Sequence, residues 1–453
     1  MIVVSHRGPE RFERVGDGFR RTRGAGGVVS ALRPVLGGTD TTWVAAAIGD
    51  DDRAAVAAGA AVSPDFDLRL LALDPTAHHL HYDLISNSLL WFLHHGLFDL
   101  PRRPVIDRRF TEAWDGYRAV NEAYAREVAT IAPDAETVVV HDYHLALVPG
   151  MLAAARPDLR VVFFQHTPHC GPTSVRVLPE SAAIEMLGSM GSAPAGFHVP
   201  RWASAYAACH REILGADALP PTFAAPLGID TAALDESAQS EEARAEAQHI
   251  ATLVGDRRVI LRVDRIEPSK NVVRGFRAYD LMLEEHPEWR ERVVFLALLY
   301  PSREGLAEYL AYAQEVEQAA AAVNNRWATG DWQPVVIDTE DTYARSIAGL
   351  GGFDVLLVNP VKDGLNLVAK EGAYLNGRDG VLALSHEAGA FDELGEAALV
   401  VHPFDIGQTA DTLHAALAMD PTERAERARR LRALASARTC QRWLDDLLSH
   451  ARR

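Results

Sequence analysis

The stretch that decides the fold reads Val358-Asn-Pro-Val-Lys-Asp-Gly-Leu-Asn-Leu-Val-Ala-Lys-Glu371. The run Phe353–Asn359 is apolar and short enough to form a fully buried strand. The residues Leu367–Tyr374 have helical spacing, so the turn that holds Asp363 and Gly364 opens a helix N-terminus. Free N–H groups and the positive end of the helix dipole make such a turn suitable for an anion.

Two carboxylates frame this turn. Asp363 lies at its mouth and Glu371 lies two helical turns further along. This arrangement suits sugar hydroxyls on the carboxylates, with a phosphate on the backbone amides between them. The alternative is an ordinary strand–helix turn in which Asp363 is the N-cap, and spacing alone does not choose.

The positions of the lysines independently indicate a phosphate-binding site. The chain has 45 Lys and Arg residues, but only Lys270, Lys362 and Lys370 are lysines. Two lie in the quoted stretch and the third ends Arg265-Ile-Glu-Pro-Ser-Lys270. A lysine is a compact point charge that suits a diphosphate. An arginine-biased genome would explain the scarcity but not the positions, although three residues can also cluster by chance.

Composition bounds the class of protein. A length of 453 residues predicts at least two domains, and 48% hydrophobic with 24% charged residues is typical of globular proteins. A net charge of −17 disfavours nucleic acid or an anionic membrane as partner, but allows a small phosphorylated ligand in a basic pocket. Three scattered cysteines predict a cytoplasmic protein without disulfides or a structural zinc site. We expect no signal peptide before the strand-like Met1–Ser5 and no membrane helix.

Strand and helix patterns alternate in both halves of the chain. Early strands are predicted at Ile2–Ser5, Thr42–Ile48 and Asp67–Leu73, and the glycine-rich loop Arg21–Gly27 opens a helix over Val28–Leu36. That loop is either a phosphate-approach site or a flexible turn. Later strands are predicted at Arg257–Val263, Arg292–Leu298, Pro334–Asp338, Phe353–Asn359, Gly380–Ser385 and Ala397–His402. The pattern predicts an α/β fold with two doubly wound parallel-sheet domains that face each other.

Polar residues follow two buried strands of the first half. Asp142 follows the strand that begins at Val138, and His166 follows the strand that begins at Val161. The carboxyl ends of successive parallel strands line the crevice of an open α/β sheet. This position favours Asp142 and His166 as site residues over satisfied core groups.

Taken in order, these motifs resemble those of the trehalose-6-phosphate synthases, which are retaining GT-B glycosyltransferases. The resemblance covers most of the chain and rests on Gly26-Gly27, Tyr82, Ser86–Trp91, Trp114–Tyr117, His141–Leu145, Phe164–His166, Pro226–Ile229, Arg265, Ser269-Lys270, Pro301–Arg303, Asp363–Glu371, Leu384-Ser385 and Ala388–Ala390. It implies an acceptor-binding Rossmann-like domain over 1–230 and a nucleotide-sugar-binding domain over 231–436. The helix over 437–453 is expected to pack back on the first domain.

The resemblance also implies residue roles. For the donor, Arg265 and Lys270 would hold the diphosphate, Glu371 the ribose hydroxyls, and Asp363 and His166 the glucose. The amides around Asn366, Leu367 and Val368 and the loop Gly26-Gly27 would assist on the donor side. For the acceptor, Asp142 would bind the sugar, and the phosphate of glucose 6-phosphate would meet Arg7, Tyr82, Trp91 and Arg303.

The implied reaction is front-face glucosyl transfer, in which the phosphate of the donor takes the acceptor proton. It requires no carboxylate pair, no metal and no cofactor. The partners are a nucleotide-glucose and glucose 6-phosphate, without nucleic acid or membrane, and a homo-oligomer is left open.

The sequence departs from the family pattern on the acceptor side. The family has Phe-Pro where this chain has His169-Cys170, Asn-Arg-Ile in place of His6-Arg7-Gly8, and Gly-Phe-Gln in place of Gly196-Phe-His198.

The segment Val335–Asp341 is unusually acidic, which suggests that GDP-glucose serves as well as, or instead of, UDP-glucose. A solvated loop or helix cap is the alternative explanation for Asp338, Glu340 and Asp341.

Three other functions fit the fold to different degrees. Transfer to another sugar phosphate or to a cyclitol phosphate is compatible with Arg7 and Arg303. A non-catalytic sugar-phosphate sensor would have little need for the whole donor set. Glycogen-type polymer transfer would need an extended groove rather than a phosphate pocket, and fold alone does not choose.

Overall fold

The computed structural model describes residues 1–24, 27–215, 221–303, 305–340 and 342–451. The chain divides into two compact units, Met1–Leu227 with Cys440–Arg453 and Gly228–Thr439. Each unit is built on its own parallel sheet, which the alternating strand and helix patterns predict.

The described strands are, in chain order, β1 (Ile2–Val4), β2 (Glu10–Val15), β3 (Gly18–Arg23), β4 (Thr42–Ala46), β5 (Asp67–Leu71), β6 (Thr137–His141), β7 (Arg160–Gln165), β8 (Ala195–Phe197), β9 (Thr222–Ala224), β10 (Arg258–Arg265), β11 (Val293–Tyr300), β12 (Val335–Asp338), β13 (Val355–Val358), β14 (Val381–Ser385) and β15 (Leu399–Val401).

The described α-helices are α1 (Gly27–Leu36), α2 (Asp50–Ala57), α3 (Pro75–His79), α4 (Trp91–His95), α5 (Arg108–Ile131), α6 (Val148–Ala155), α7 (Pro172–Val175), α8 (Glu180–Met190), α9 (Pro200–Ile213), α10 (Thr231–Ala238), α11 (Glu241–Val254), α12 (Val272–Glu285), α13 (Ala307–Trp327), α14 (Tyr343–Gly351), α15 (Leu367–Leu375), α16 (Phe391–Leu394), α17 (Ile406–Ala418), α18 (Pro421–Ser436) and α19 (Cys440–Ala451). A π-helix, Leu80–Leu90, joins α3 to α4, and short 3-10 turns lie at Tyr143–Leu145, Pro268–Lys270 and Pro287–Trp289.

The first unit has a seven-stranded parallel sheet in the order β5-β4-β1-β6-β7-β8-β9. Val3 and Val140 are fully buried at its centre. Helix α19 belongs to this unit and packs on β6 and β7 with Trp443 fully buried. The chain therefore returns to its first sheet at its C-terminal end.

The second unit has a six-stranded parallel sheet in the order β12-β11-β10-β13-β14-β15. The chain starts in the middle at β10, runs outward to β12, and then restarts beside β10 at β13. In doubly wound sheets the strand pair at such a reversal opens a crevice at its carboxyl end, where ligands bind. The quoted stretch Val358–Glu371 begins at this position.

The structure corrects one expectation about the N-terminal region. The sequence predicts a loop over Arg21–Gly27, but β3 extends to Arg23 and pairs with β2 as an antiparallel hairpin. The hairpin alternates only weakly, since Phe12 is buried on one strand while most of its neighbours are exposed. The weak period hides these strands from a pattern search.

Among the described residues, no helix combines the length and apolarity that crossing a membrane requires.

Candidate functional site

The centre of the second unit's site is a pair formed by two residues that the sequence predicts. Lys270 follows β10 and Asp363 follows β13, and these strands are neighbours in the sheet. Nζ of Lys270 lies 2.6 Å from Oδ2 of Asp363. The topology therefore brings a cation and a carboxylate together at the reversal point of the sheet.

Buried charges hold this lysine in its protonated form. Burial alone would lower the pKa of Lys270, but the carboxylates of Asp363, Asp264 and Glu267 hold it above the ordinary value. Asp264 is itself fixed by Arg262, whose Nε donates to Oδ2 of Asp264 over 2.9 Å. The ammonium is thus a permanent charge at neutral pH.

Glu267, which was not predicted as a site residue, contacts both Arg265 and Arg303. Oε1 of the buried Glu267 lies 3.1 Å from Arg265, 3.5 Å from Arg303 and 2.9 Å from the hydroxyl of Ser302. Burial would raise the pKa of Glu267, but Arg265, Arg303 and Lys270 bring it down to about 2. The signal was present, because Glu267 lies inside the Arg265–Lys270 motif.

The first turn of α15 is not capped by the residue that an ordinary strand–helix turn would use. Asn366, not Asp363, is the N-cap: its Oδ1 accepts from the N–H of Ala369 over 3.0 Å, and its Nδ2 donates to Asp363 over 3.1 Å. The amides of Leu367 and Val368 open the helix, where N–H groups have no intrahelical acceptor. Asp363 is therefore not the helix cap, and its carboxylate accepts from Asn366 and Lys270.

Gly389 fixes the loop that carries Asp363. The N–H of Gly389 donates to the carbonyl of Asp363 over 3.1 Å. A Cβ at Gly389 would lie 2.0 Å from the backbone oxygen of Gly364, so only glycine fits there. This explains why the segment Ala388–Ala390 accompanies the Asp363 stretch in the sequence pattern.

Glu371 and Lys370 are consecutive residues of α15, but their side chains have different surroundings. Burial raises the pKa of Glu371 to about 7, and within the described residues its carboxylate has no hydrogen-bond partner. Lys370 is fully buried, with Nζ 2.8 Å from Oε2 of Glu393. The idea that both lysines of the stretch serve a diphosphate is therefore wrong for Lys370, which forms an internal ion pair.

In the first unit, Asp142 has an unusual backbone. Its φ is 71° and its ψ is 162°, a region that non-glycine residues rarely occupy. Its Oδ1 accepts from the N–H groups of Tyr143, His166 and Thr167 over 3.1, 3.2 and 3.5 Å. Burial raises the pKa of Asp142 to about 6 against these bonds. Oδ2 remains for an incoming hydroxyl, since no described residue bonds to it.

His166 lies between two other histidines. Its Nε2 is 3.1 Å from Nδ1 of His141, and its Nδ1 is 3.2 Å from Nε2 of His198. Burial is the main cause that lowers the pKa of His166 well below its usual value, and the neighbouring His198 and His141 lower it further. The ring is therefore neutral. Because each neutral imidazole carries one N–H, the three tautomers must be set together. The flanking pair was not predicted as part of the site.

Two of the predicted phosphate ligands of the first unit, Arg7 and Tyr82, are in contact. Nη2 of Arg7 donates to the hydroxyl of Tyr82 over 3.0 Å, and Tyr82 lies on the π-helix, a type of element frequent at functional sites. His6 stacks on Tyr82 with ring centroids 4.7 Å apart. Trp91 begins α4 and is only 3% exposed. The structure therefore pairs Arg7 with Tyr82 and buries Trp91.

A cavity beside Arg7 is lined also by Glu10, Arg11 and Asp52. Glu10 forms ion pairs with two arginines outside the lining, and Asp52 accepts two backbone N–H groups. Glu10 is thus neutralised by arginines outside the lining, whereas the carboxylate of Asp52 is hydrogen-bonded but keeps its charge beside Arg7 and Arg11.

The other predicted site residues are Arg303, Gly26 and Gly27. Arg303 belongs to the second unit, has a φ of 48° and hydrogen-bonds the Tyr309 hydroxyl. Gly27 is the exposed first residue of α1, and Gly26 lies outside the described residues.

The acidic segment near β12 already has a cationic partner. Arg345 lies 2.6 Å from Asp338, 2.9 Å from Glu340 and 2.7 Å from Glu246. Asp341 lies outside the described residues. Asp338 ends β12 and its side chain is largely buried, whereas Glu340 follows in a loop with its side chain 65% exposed, so only Asp338 departs from the solvated-loop explanation.

Comparison with known proteins identifies the family of the chain. A sequence model of glycosyltransferase family 20 matches residues 1–453. The chain is 33% identical over 474 residues to the trehalose-6-phosphate synthase of Mycolicibacterium smegmatis, covering 99% of this chain and 91% of that one.

Two solved structures are similar over their whole length. One is an alpha,alpha-trehalose-phosphate synthase (UDP-forming) from Burkholderia xenovorans in complex with glucose-6-phosphate, at 25% identity and a TM-score of 0.86, covering 100% of both chains. The other is the trehalose-6-phosphate structure from E. coli bound with UDP-2-fluoro glucose, at 25% identity and a TM-score of 0.85, covering 100% of this chain and 98% of that one.

These matches confirm the predicted GT-B class, since both halves of the chain align with those structures. The chain therefore belongs to glycosyltransferase family 20, the family whose trehalose-6-phosphate synthases its motifs resemble, and it is a glycosyltransferase.

Proposed function

We propose that this chain is a trehalose-6-phosphate synthase that transfers glucose, with retention, from a nucleotide-glucose to glucose 6-phosphate and yields α,α-trehalose 6-phosphate. The observation that carries the proposal is the Lys270–Asp363 pair at the reversal point of the second sheet. The relatives that carry the same family pattern include one bound to glucose 6-phosphate and one bound to a UDP-glucose analogue.

The donor binds to the second unit in this proposal. Arg265 and Lys270 hold the diphosphate and offset the charge that grows on it as the sugar leaves. A lysine ammonium has three N–H donors, so Lys270 can keep Asp363 and still reach a phosphate. Asp363 accepts from glucose hydroxyls, and Glu371 accepts from both ribose hydroxyls.

The acceptor sugar binds through Asp142, and its phosphate through Arg7, Tyr82, Trp91 and Arg303. The strained backbone of Asp142 supports a functional role, because such a conformation costs about 1–3 kcal/mol and is kept where it serves a site. Oδ1 is held by backbone N–H groups, which aims Oδ2 at the acceptor.

The transfer step exchanges one glycosidic bond for another. The bond from C1 of glucose to the donor phosphate oxygen breaks, the acceptor hydroxyl oxygen bonds to C1 on the same face, and its proton passes to the departing phosphate. His166 is neutral at the reaction pH and orients the donor sugar by hydrogen bonding rather than by charge.

For the donor base we favour uracil over guanine. A guanine site built on Asp338 and Glu340 would need carboxylates with spare charge, and Arg345 already pairs with both. The UDP-sugar analogue in the E. coli structure supports the same choice.

We also propose that the reaction takes place in the cytoplasm. All three cysteines lie in the described residues and none is in a disulfide, which suits a reducing compartment.

A substrate panel tests the proposal. UDP-, GDP-, ADP- and TDP-glucose are each supplied with glucose 6-phosphate, and both released nucleotide and disaccharide phosphate are measured. We expect the two products in equal amounts, fastest with UDP-glucose. A faster rate with GDP-glucose would overturn the base assignment alone. No turnover of glucose 6-phosphate with any of the four donors would overturn the function.

A further inference from the structure

A buried cluster of soft ligands lies outside the proposed catalytic machinery. His94 on α4 meets His169 and Cys170, which lie between β7 and α7, and all three are at most 2% exposed. One potential ligand atom from each residue lies within 4.8 Å of the other two. Imidazole nitrogens with a cysteine sulfur form the donor set that proteins use for thiophilic metal ions.

The tautomer of His169 favours metal binding. Its Nδ1–H donates to the carbonyl of Cys170 over 2.8 Å, which leaves the lone pair on Nε2. Nε2 is buried and has no hydrogen-bond partner. Metal-bound histidines commonly use the same arrangement, in which the second ring nitrogen is held by a backbone carbonyl. Without a ligand, this acceptor would be left unsatisfied in the core.

The surroundings of His169 are apolar. The ring packs edge-on against Phe197 and Tyr206, with centroids 5.8 and 5.2 Å away. The rings of His94 and His169 have centroids 4.8 Å apart and planes inclined by 51°. Nδ1 of His94 faces Cys170 and accepts from its N–H over 3.4 Å, so coordination by His94 would replace this long hydrogen bond.

A second cluster fails the same test. His286 and His414 lie near Glu288, but their rings are stacked 3.5 Å apart at 7°. Lone pairs in nearly parallel planes do not meet at one ion, so this cluster supports no site.

We propose that His94, His169 and Cys170 bind a thiophilic metal ion with a filled d shell, Zn²⁺ or Cu⁺. On binding, the Cys170 thiol releases its proton to solvent as the sulfur–metal bond forms, and no oxidation state changes. The departure of His169-Cys170 from the family's Phe-Pro supplies two of the three ligands. The ion would tie α4, which begins with Trp91, to the segment that begins with His166.

The sequence alone predicts no metal site. Cysteine spacing and the adjacent pair His94-His95 give no zinc pattern, because the ligands come from separate elements. The proposal does not depend on the glucosyl transfer, and its test does not measure activity.

The test is metal titration of the full chain after removal of metal with a chelator. Co²⁺ serves as the spectroscopic substitute for Zn²⁺, and Cu⁺ is added in a second series under anaerobic conditions. We expect one equivalent to bind with a thiolate-to-metal charge-transfer band and to raise the thermal midpoint. Competition with a chromogenic chelator gives the affinity for each ion and shows which is preferred.

Two variants and one control localise the site. Cys170→Ser and His169→Phe should lose the band and more than about 100-fold in affinity. Cys209→Ser is the control, because the Cys209 thiol is buried beside the cluster and donates only to the Cys170 carbonyl over 3.4 Å. It should keep both band and affinity.

Several results would overturn the proposal. Wild-type protein that shows neither a charge-transfer band nor a metal-dependent thermal midpoint would do so. Unchanged binding by Cys170→Ser, or equal loss by Cys209→Ser, would also place any bound ion elsewhere. If Cys170→Ser does not fold, His169→Phe and the wild-type chelator dependence decide the question.

Discussion

Nζ of Lys270 lies 2.6 Å from Oδ2 of Asp363, although 93 residues separate them in the chain. The pair forms because β10 and β13 are neighbours and their carboxyl ends lie together. Asp363 in turn accepts from Asn366 at the start of α15. An ammonium, a carboxylate and a helix N-terminus, to which the proposed function assigns the diphosphate and the glucose hydroxyls, are thus held in place by one network.

Lys270→Ala should collapse turnover and change stability far less. Losing one preorganised positive group at the leaving diphosphate should lower kcat by about 100- to 1,000-fold. Initial rates and thermal melts check this. Lys362→Ala is the matched control, and it should keep most of the activity. Wild-type turnover of the Lys270 variant would contradict the diphosphate role.

Lys370→Met should have the opposite profile. Its ammonium is fully buried against Glu393, so removal leaves a poorly solvated carboxylate and should cost about 3–5 kcal/mol of the free energy of unfolding. Denaturant titration measures the loss. The double variant with Glu393→Leu should recover much of the stability, and a loss as large as that of the single variant would argue against the pair.

Arg303→Ala should raise the KM for glucose 6-phosphate by about 10- to 100-fold, because it removes a charge-assisted bond to the acceptor phosphate. The KM for the donor should change much less. Steady-state kinetics with each substrate varied in turn provides the measurement. Tyr309→Phe, which keeps the guanidinium but removes its hydroxyl partner, should have a smaller effect. Equal rises in both KM values would remove the acceptor-phosphate assignment.

Donor affinity should improve as pH rises through about 7, where Glu371 ionises. Below that pH the protonated carboxyl accepts ribose hydroxyls poorly, whereas the carboxylate above it accepts from both. The folded-state pKa exceeds the ordinary 4.5, so this group's stabilising contribution is complete below 4.5 and is lost as pH rises toward 7. Glu371→Gln should flatten both profiles. A donor KM with the same pH dependence in the variant would assign the titration to another group.

His198→Ala should lower kcat about 10- to 100-fold, because His166 loses the partner of its Nδ1 and with it a fixed tautomer and orientation. His198→Gln keeps a hydrogen-bonding group and should recover part of the rate. Nitrogen NMR of labelled histidines reports the tautomer of His166 directly. An unchanged His166 tautomer together with an unchanged kcat would show that His198 only fills space.

Much of the fold could be predicted because both sheets are parallel and buried. Strands such as β6 (Thr137–His141) and β11 (Val293–Tyr300) have continuous apolar interiors, and this pattern together with their short length separates them from helices. The β2–β3 hairpin escaped prediction because it is largely exposed, so its sequence carries little alternation.

The positions of Lys270 and Asp363 after buried strands could be predicted, because they follow from the strand pattern. The contacts of a charged side chain could not be predicted, because they depend on its neighbours. Glu267 pairs with Arg265 and Arg303, and Lys370 pairs with Glu393.

Two parallel-sheet units follow from the sequence alone, because the period of apolar residues is a local property of the chain, and the family follows from the resemblance of its motifs. The folded chain adds which groups meet: His141 and His198 on either side of His166, Arg345 on the acidic segment, and His94 beside His169 and Cys170. These contacts cannot be obtained from local patterns, since burial and charge pairing depend on distances between residues far apart in sequence, and the order of the strands sets these distances.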